Sequence, residues 1–319
     1  MTETLVQYSN LAVYSAMAVY ALSFIAFTLD LARRAAPTSG LVEAAPLESE
    51  IGGSTKTNLL TRLATDAPAS TRGSTSLRVA MALAIVGWVL HAASVVFRGL
   101  AAGYVPWSNM FGFSLTATAI IVGVFLAVQF WQDIRYLGAF IIGFALLFLG
   151  IANVNFYVDV VPQPPPLQSA WLVIHVFVAI LGTSFFALGA GLSFMQLLQS
   201  RREDSGRGPR FLKTLPSALH LENLAYRVVL IGFVFWTFTL IAGAIWAQRA
   251  WGRYWGWDTK EVWTFIIWTI YAGYIHARAT RGWRGARSAW LALIGFAAVM
   301  FNFTIVNLFF KGLHSYSGL

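Results

Sequence analysis

Residues 251–263 read Trp251-Gly252-Arg253-Tyr254-Trp255-Gly256-Trp257-Asp258-Thr259-Lys260-Glu261-Val262-Trp263, set between an apolar run over 227–248 and another that continues from 261 to 278. About 20 consecutive, mostly apolar residues are enough for a helix to cross a bilayer. The two runs therefore predict a pair of transmembrane helices, and the segment joining them predicts a loop at the membrane surface. Water solvates so many indole and phenol rings poorly, so a loop exposing them needs a reason. A flat, apolar, anionic ligand lying on the rings supplies one. Gly252 and Gly256 let backbone come close to such a ligand, and tryptophan offers the largest face for stacking and cation–π contact.

Six further runs have the same character outside this pair: 9–31, 79–99, 111–130, 136–154, 170–198 and 288–310. The expected fold is an all-α integral membrane protein of about eight transmembrane helices. The composition agrees. The chain of 319 residues is 58% hydrophobic and 11% charged, with a mean hydropathy of +0.66, whereas a soluble domain carries roughly 25% charged residues. No cysteine is present, which excludes thiol exchange, a structural disulfide and covalent attachment of a cofactor through the chain's own sulfur.

The net charge of +9 does not point to nucleic acid, because the cations sit in the loops between apolar runs. Of the 22 Lys and Arg residues, all but Arg98, Arg249, Arg253, Lys260 and Lys311 fall on one side of the expected topology. The positive-inside rule makes that side cytoplasmic, which places both termini and the Trp-rich loop at 249–263 outside. The first apolar run, within residues 1–31, is long enough to span and follows a neutral-to-acidic N-terminus, so it reads as a helix and not as a cleaved signal.

Residues 32–76 are rich in Ala, Ser, Thr, Gly and Pro without a sustained apolar period, and predict a disordered cytoplasmic linker. The core then occupies 77–319. Within it, the stretch from Leu215 to Arg227 has apolar residues at helical spacing and is expected to lie along the membrane surface. Val160-Val161-Pro162-Gln163-Pro164-Pro165-Pro166 is expected to be extended, since successive prolines forbid helix.

There are five histidines. His91 and His276 fall inside expected spans, where an ionisable side chain is costly and marks function. His175 lies about one turn into the fifth span from its outer end, and His314 follows the last span on the outer side. His220 is expected on the cytoplasmic surface. Neutral imidazole is a common axial ligand of haem iron, so the two pairs suggest an inner and an outer place for one haem. By helical rise His91 would lie roughly 12 Å, and His276 roughly 22 Å, below the outer boundary, so a haem bridging them needs tilt or an edge-on ring. Trp107, Trp131 and Trp283 are assigned to an interfacial aromatic belt. The run Asp258-Thr259-Lys260-Glu261 predicts a capping box at the start of the seventh span, with Arg249, Arg253 and Lys260 supplying charge for carboxylates.

These residues resemble a known family. The run from Trp251 to Asp258 is similar to the Trp-rich "WWD" signature of the haem-handling proteins of cytochrome c biogenesis. The segments 221–227, 243–247, 260–263 and 307–316, His276, and Gly103 to Asn109 after a helix bearing His91 resemble the CcsA/ResC branch of system II, whose actinobacterial members are often labelled CcsB. One departure is Gly112, where the family usually has an acidic residue. The resemblance implies a multi-pass protein of the cell membrane that takes haem b, acts with a ResB-type partner, and presents the haem outside to a Cys-x-x-Cys-His apocytochrome c as a haem lyase component. It implies axial ligation by His175 and His314 against a platform of Trp251, Gly252, Tyr254, Trp255, Gly256, Trp257 and Asp258, and by His91 and His276 within the membrane. Two alternatives stay open: a b-type haem electron-transfer or quinol oxidoreductase subunit using the same histidines, and a haem-free transporter or scaffold.

Overall fold

The computed structural model describes residues 2–35, 74–280 and 282–314. Among these residues every regular element is helical. Eight long helices follow one another: α1 (Thr2–Ala35), α2 (Thr75–Ala102), α3 (Met110–Val128), α4 (Gly138–Asn155), α5 (Ala170–Ser205), α6 (Ala218–Trp251), α7 (Thr259–Thr280) and α8 (Ala286–Phe303). A short α9 (Ile305–Phe309) follows. Seven of them, all but α7, are long and apolar enough to cross a membrane. The chain is thus a multi-pass membrane protein. Helix α7 is the least apolar of the expected spans: it carries Lys260 and Glu261 in its first turn and Arg278 in its last, yet it packs between α6 and α8.

Local sequence explains where the helices start and stop. Ser74, Asn109, Ser169 and Ser217 each accept a hydrogen bond from a backbone N–H of the first turn of α2, α3, α5 and α6, which satisfies a donor the helix cannot. Gly252 ends α6 with φ of 73° and donates its N–H to Gln248 O, a left-handed stop open to glycine at little cost. Ser217 caps one continuous 34-residue α6. This corrects the expected surface segment from Leu215 to Arg227, because Leu221, Leu224, Ala225 and Val228 are buried in the bundle core. Most of the expected linker over 32–76 lies outside the described residues, while helix extends to Ala35 on one side and resumes at Thr75 on the other. His220 is exposed, as expected.

Lipid tails are as apolar as leucine, so helices in a bilayer associate through close packing and hydrogen bonds. Helix α5 buries Gly182, Ser184, Ala187, Gly189, Ala190 and Gly191 along its length. A Cβ at Gly182 would come within 3.3 Å of Gly232 O and of Trp236 N on α6, so the two helices approach closely there. One core joins α1–α4 to the ends of α5 and α6. A second joins α5, α6, α7 and α8, where Phe186 and Tyr271 stack at 3.7 Å and 6°. Two smaller clusters, around Trp107 and around Trp246, lie at the end of the bundle that bears the Trp-rich loop.

Candidate functional site

A cavity of about 220 Å³ opens beneath the Trp-rich loop. Its walls come from α3, α4, α5, α6, α7 and α8, and Tyr254, Trp255 and His314 stand at the loop end. The lining is mainly aromatic and aliphatic, including Trp107, Phe113, Phe144, Phe148, Trp236, Trp246 and Phe303. An apolar cavity with few polar groups is the usual form of a small-molecule site.

His175 and His314 both line it. On α5, His175 places Nδ1 3.0 Å from Thr239 O, and its ring stacks on Trp246 at 5.8 Å and 17°. A Cβ at Gly243 would lie 2.7 Å from His175 Cε1, so glycine there clears the path to α6. The carbonyl accepts from Nδ1–H and thereby leaves the Nε2 lone pair free. His314 reaches the same state by a different route: its Nδ1 lies 2.7 Å from Asp258 Oδ2, and Trp246 and Trp251 meet its ring edge to face at 5.5 and 4.8 Å. Carboxylate or carbonyl on one ring nitrogen, metal on the other, is the usual arrangement of ligating histidine.

The loop itself is held by Glu261. Its Oε2 accepts from Gly256 N at 2.8 Å and from Asp258 N at 3.0 Å, which is the reaching-back half of the expected capping box. The Asp258 carboxylate is hydrogen-bonded to the Lys260 backbone in the first turn of α7 and also turns to His314, accepting from Leu313 N at 3.0 Å. Hydrogen bonding from His314, the largest influence, holds the Asp258 carboxyl below its ordinary value. A Cβ at Gly312 would lie 2.0 Å from Asp258 Oδ1, so this approach requires glycine. Trp257 has φ of 59°, the one non-glycine positive value among the described residues, and its indole is 76% exposed beside Trp255, edge to face at 5.9 Å.

The structure sorts the remaining expectations. Trp255 and Tyr254 line the cavity, whereas Trp251 stands behind it and supports Trp246 and His314. Of the three cations Lys260 alone lines it: Arg253 folds over Gly256 O, and Arg249 lies over the Trp171 ring. Trp107 is not a belt residue, being buried and part of the cavity wall, while Trp131 and Trp283 are open to the surroundings. At Gly112 a Cβ would come within 2.8 Å of Pro106 O, which accounts locally for the missing carboxylate.

His91 and His276 are not brought together. His91 is fully buried, with Nε2 2.8 Å from Leu115 O and Nδ1 3.3 Å from Tyr20 OH, and its helix packs on α1 and α3. His276 is exposed on α7, which packs on α6 and α8. By helical rise they lie about 16 Å and about 26 Å from the loop-side ends of their helices. Neither lines the cavity. Sequence reasoning missed Trp246, Thr239 and Gly243, and the signal available was their spacing along one face of α6 opposite the outer histidine.

The fold and site define a polytopic helical membrane protein with an aromatic cavity flanked by two oriented imidazoles. By comparison with known proteins, residues 79–314 match the cytochrome C assembly protein family, and the chain belongs to it. It is similar to cytochrome c biogenesis protein CcsA of Trieres chinensis, 35% identical over 255 residues that cover 70% of this chain and 81% of the relative. CcsA of Prochlorococcus marinus is 33% identical, covering 72% and 80%. The fold is shared with cytochrome c haem lyase CcmF, at 17% identity and a TM-score of 0.62. That alignment takes in 94% of this chain but 46% of CcmF, so the chain spans under half of that longer protein.

Proposed function

We propose that this cytochrome c assembly protein binds haem b in the cavity under the Trp-rich loop and presents it, outside the cell membrane, to a Cys-x-x-Cys-His apocytochrome c, together with a ResB-type partner. The positive-inside distribution supports that orientation, with both termini outside. One observation carries the reading: His175 and His314 enter a common aromatic cavity with Nδ1 engaged and Nε2 left free. Among the described residues no group of three or more His, Cys, Asp or Glu could hold a bare metal ion. Two imidazoles suit instead an iron whose equatorial positions a porphyrin already fills.

The chain's own residues then do four things. His175 and His314 would hold the haem iron through their free Nε2 atoms. Asp258 and Thr239 O keep both rings in one tautomer. The indoles of Trp246 and Trp255 and the phenyl rings would cover a macrocycle in the cavity, and exposed Trp257 and Tyr254 would face a protein substrate. The thiols come from the apocytochrome, in keeping with a chain lacking cysteine. A haem shared by His91 and His276 would require His91 Nε2 to leave Leu115 O and the depth offset of the two helices to be bridged, so the reading rests on the outer pair.

The test is replacement of His175 or His314 by Gly in a host that reports holocytochrome c. Maturation is expected to fail in each variant and to recover in part when imidazole is supplied to the vacated coordination position. Undiminished maturation in both variants without imidazole refutes the assignment.

A further inference from the structure

We infer that Lys260 is a carboxylate-recognition residue of this cavity, and that it selects the propionate form of a porphyrin over its uncharged ester. The inference rests on the proposed haem site and deepens it.

The lining of the cavity is mainly apolar, and along one flank Lys260, Thr264, Asn302 and Asn307 meet at the junction of α7, α8 and α9. Among the described residues, Lys260 is the only lysine or arginine that lines it. Its Nζ donates to Asn307 Oδ1, a neutral acceptor, and an ammonium has three donors to give. The two neighbouring carboxylates make their hydrogen bonds to other groups, with Asp258 acting on the Lys260 ammonium as a nearby negative charge. Glu261 Oε2 takes the Gly256 and Asp258 N–H groups, and Asp258 takes His314 and Leu313 N. The ammonium is therefore positioned by an amide, with donors left over for a ligand.

A second, independent observation points to a polar group arriving at this flank. Asn302 is 5% exposed, and its Oδ1 has no hydrogen-bond partner. Its Nδ2 is aimed at Thr264 Oγ1 at 3.4 Å. That hydroxyl already donates to Lys260 O, so it can only accept from Asn302, and the amide orientation is fixed. A buried orphan acceptor is destabilising and is satisfied when a ligand carboxyl or a water carried with it enters. Lys260 also lines the small cleft that connects Asp258, Asn307 and His314, which puts the cation next to one proposed axial ligand. A flat macrocycle with acid side chains in this cavity would find the ammonium on the flank next to His314.

The experiment uses the full-length protein in detergent and two probes, iron protoporphyrin IX and its dimethyl ester, titrated by absorbance against wild type, K260Q and K260R. Comparing each variant with wild type for the same probe cancels partition into detergent. Loss of a charge-assisted hydrogen bond is expected to weaken the diacid about tenfold in K260Q, with the ester unchanged and K260R near wild type. Equal weakening of both probes, or none, overturns the inference and leaves the haem site standing. Wild type that binds neither probe defeats the haem-site reading itself. Should K260Q fail to fold, N307A, which releases the ammonium from its amide, must still shift the diacid alone.

Discussion

His314 Nδ1 lies 2.7 Å from Asp258 Oδ2, a contact that closes 56 residues of chain into one unit and ties the Trp-rich loop to the segment after α9. Oriented by the carboxylate, the imidazole has one defined tautomer. Partners of this kind are worth about 10–100-fold in metal affinity. D258N, which keeps the shape but not the charge, is expected to lower haem affinity by about that factor in an absorbance titration. G312A is expected to do the same with both side chains left in place, since its methyl would displace Asp258 Oδ1, which lies 2.0 Å from the added Cβ. G312A protein that binds haem as tightly as wild type would contradict the proposed role of the contact.

The same carboxylate predicts a pH dependence. Its folded value is depressed, first by the His314 hydrogen bond and further by Leu313 N. The stability it contributes is therefore complete above the ordinary carboxylate value of about 3.9 and is lost as pH falls through the lower folded value. Haem-free wild type is expected to outlast D258N in thermal denaturation at neutral pH, the gap narrowing only below about pH 4. A gap that closes between pH 5 and 7 would assign the effect to another group.

The helices were legible because lipid imposes one crude rule, a long apolar run, and the runs over 170–198 and 227–248 obey it in any context. What sequence could not supply was contact across those runs. Nothing local separates Trp107, which walls the cavity, from Trp131, which does not. The capping signature at Asp258 and Glu261 correctly located the start of α7, but it gave no sign that the Asp258 carboxylate would also take an imidazole 56 residues away. The segment from Leu215 misled because amphipathic spacing describes equally a helix lying on a membrane and the first turns of a longer one. For His91 and His276, being inside a span did not imply facing a common space. His91 satisfies both ring nitrogens within the bundle.

Two tryptophans of similar chemistry should behave differently. Trp246 is 2% exposed, donates Nε1–H to Pro166 O at 3.0 Å and backs both outer histidines. W246A is expected to lose about 3–5 kcal/mol of stability, and W246F about 1 kcal/mol for the missing hydrogen bond. Trp257 is 76% exposed, so W257A should alter stability by no more than about 0.5 kcal/mol while reducing cytochrome c maturation. Thermal melts paired with a maturation assay separate the two. The proposal for the loop edge fails if W257A matures cytochrome normally.

The opposite end of the bundle offers a control in which stability moves and the site does not. Glu222 accepts from Arg278 Nη1 at 2.6 Å and from Gly285 N at 3.0 Å, joining α6, α7 and the start of α8. The two side chains are 5% and 7% exposed, and Arg278 also meets Asn223 Oδ1 at 2.8 Å and the Tyr226 ring at 4.6 Å. Removing one partner strands a buried charge, at a cost of about 3–5 kcal/mol. Glu222 lies about 44 Å along α6 from Trp251, so the damage should not reach the imidazoles. E222A is expected to unfold at distinctly lower temperature, yet the fraction that remains folded should show the wild-type haem spectrum. A changed spectrum in folded E222A would mean that the ion pair and the cavity are mechanically coupled along α6 and α7.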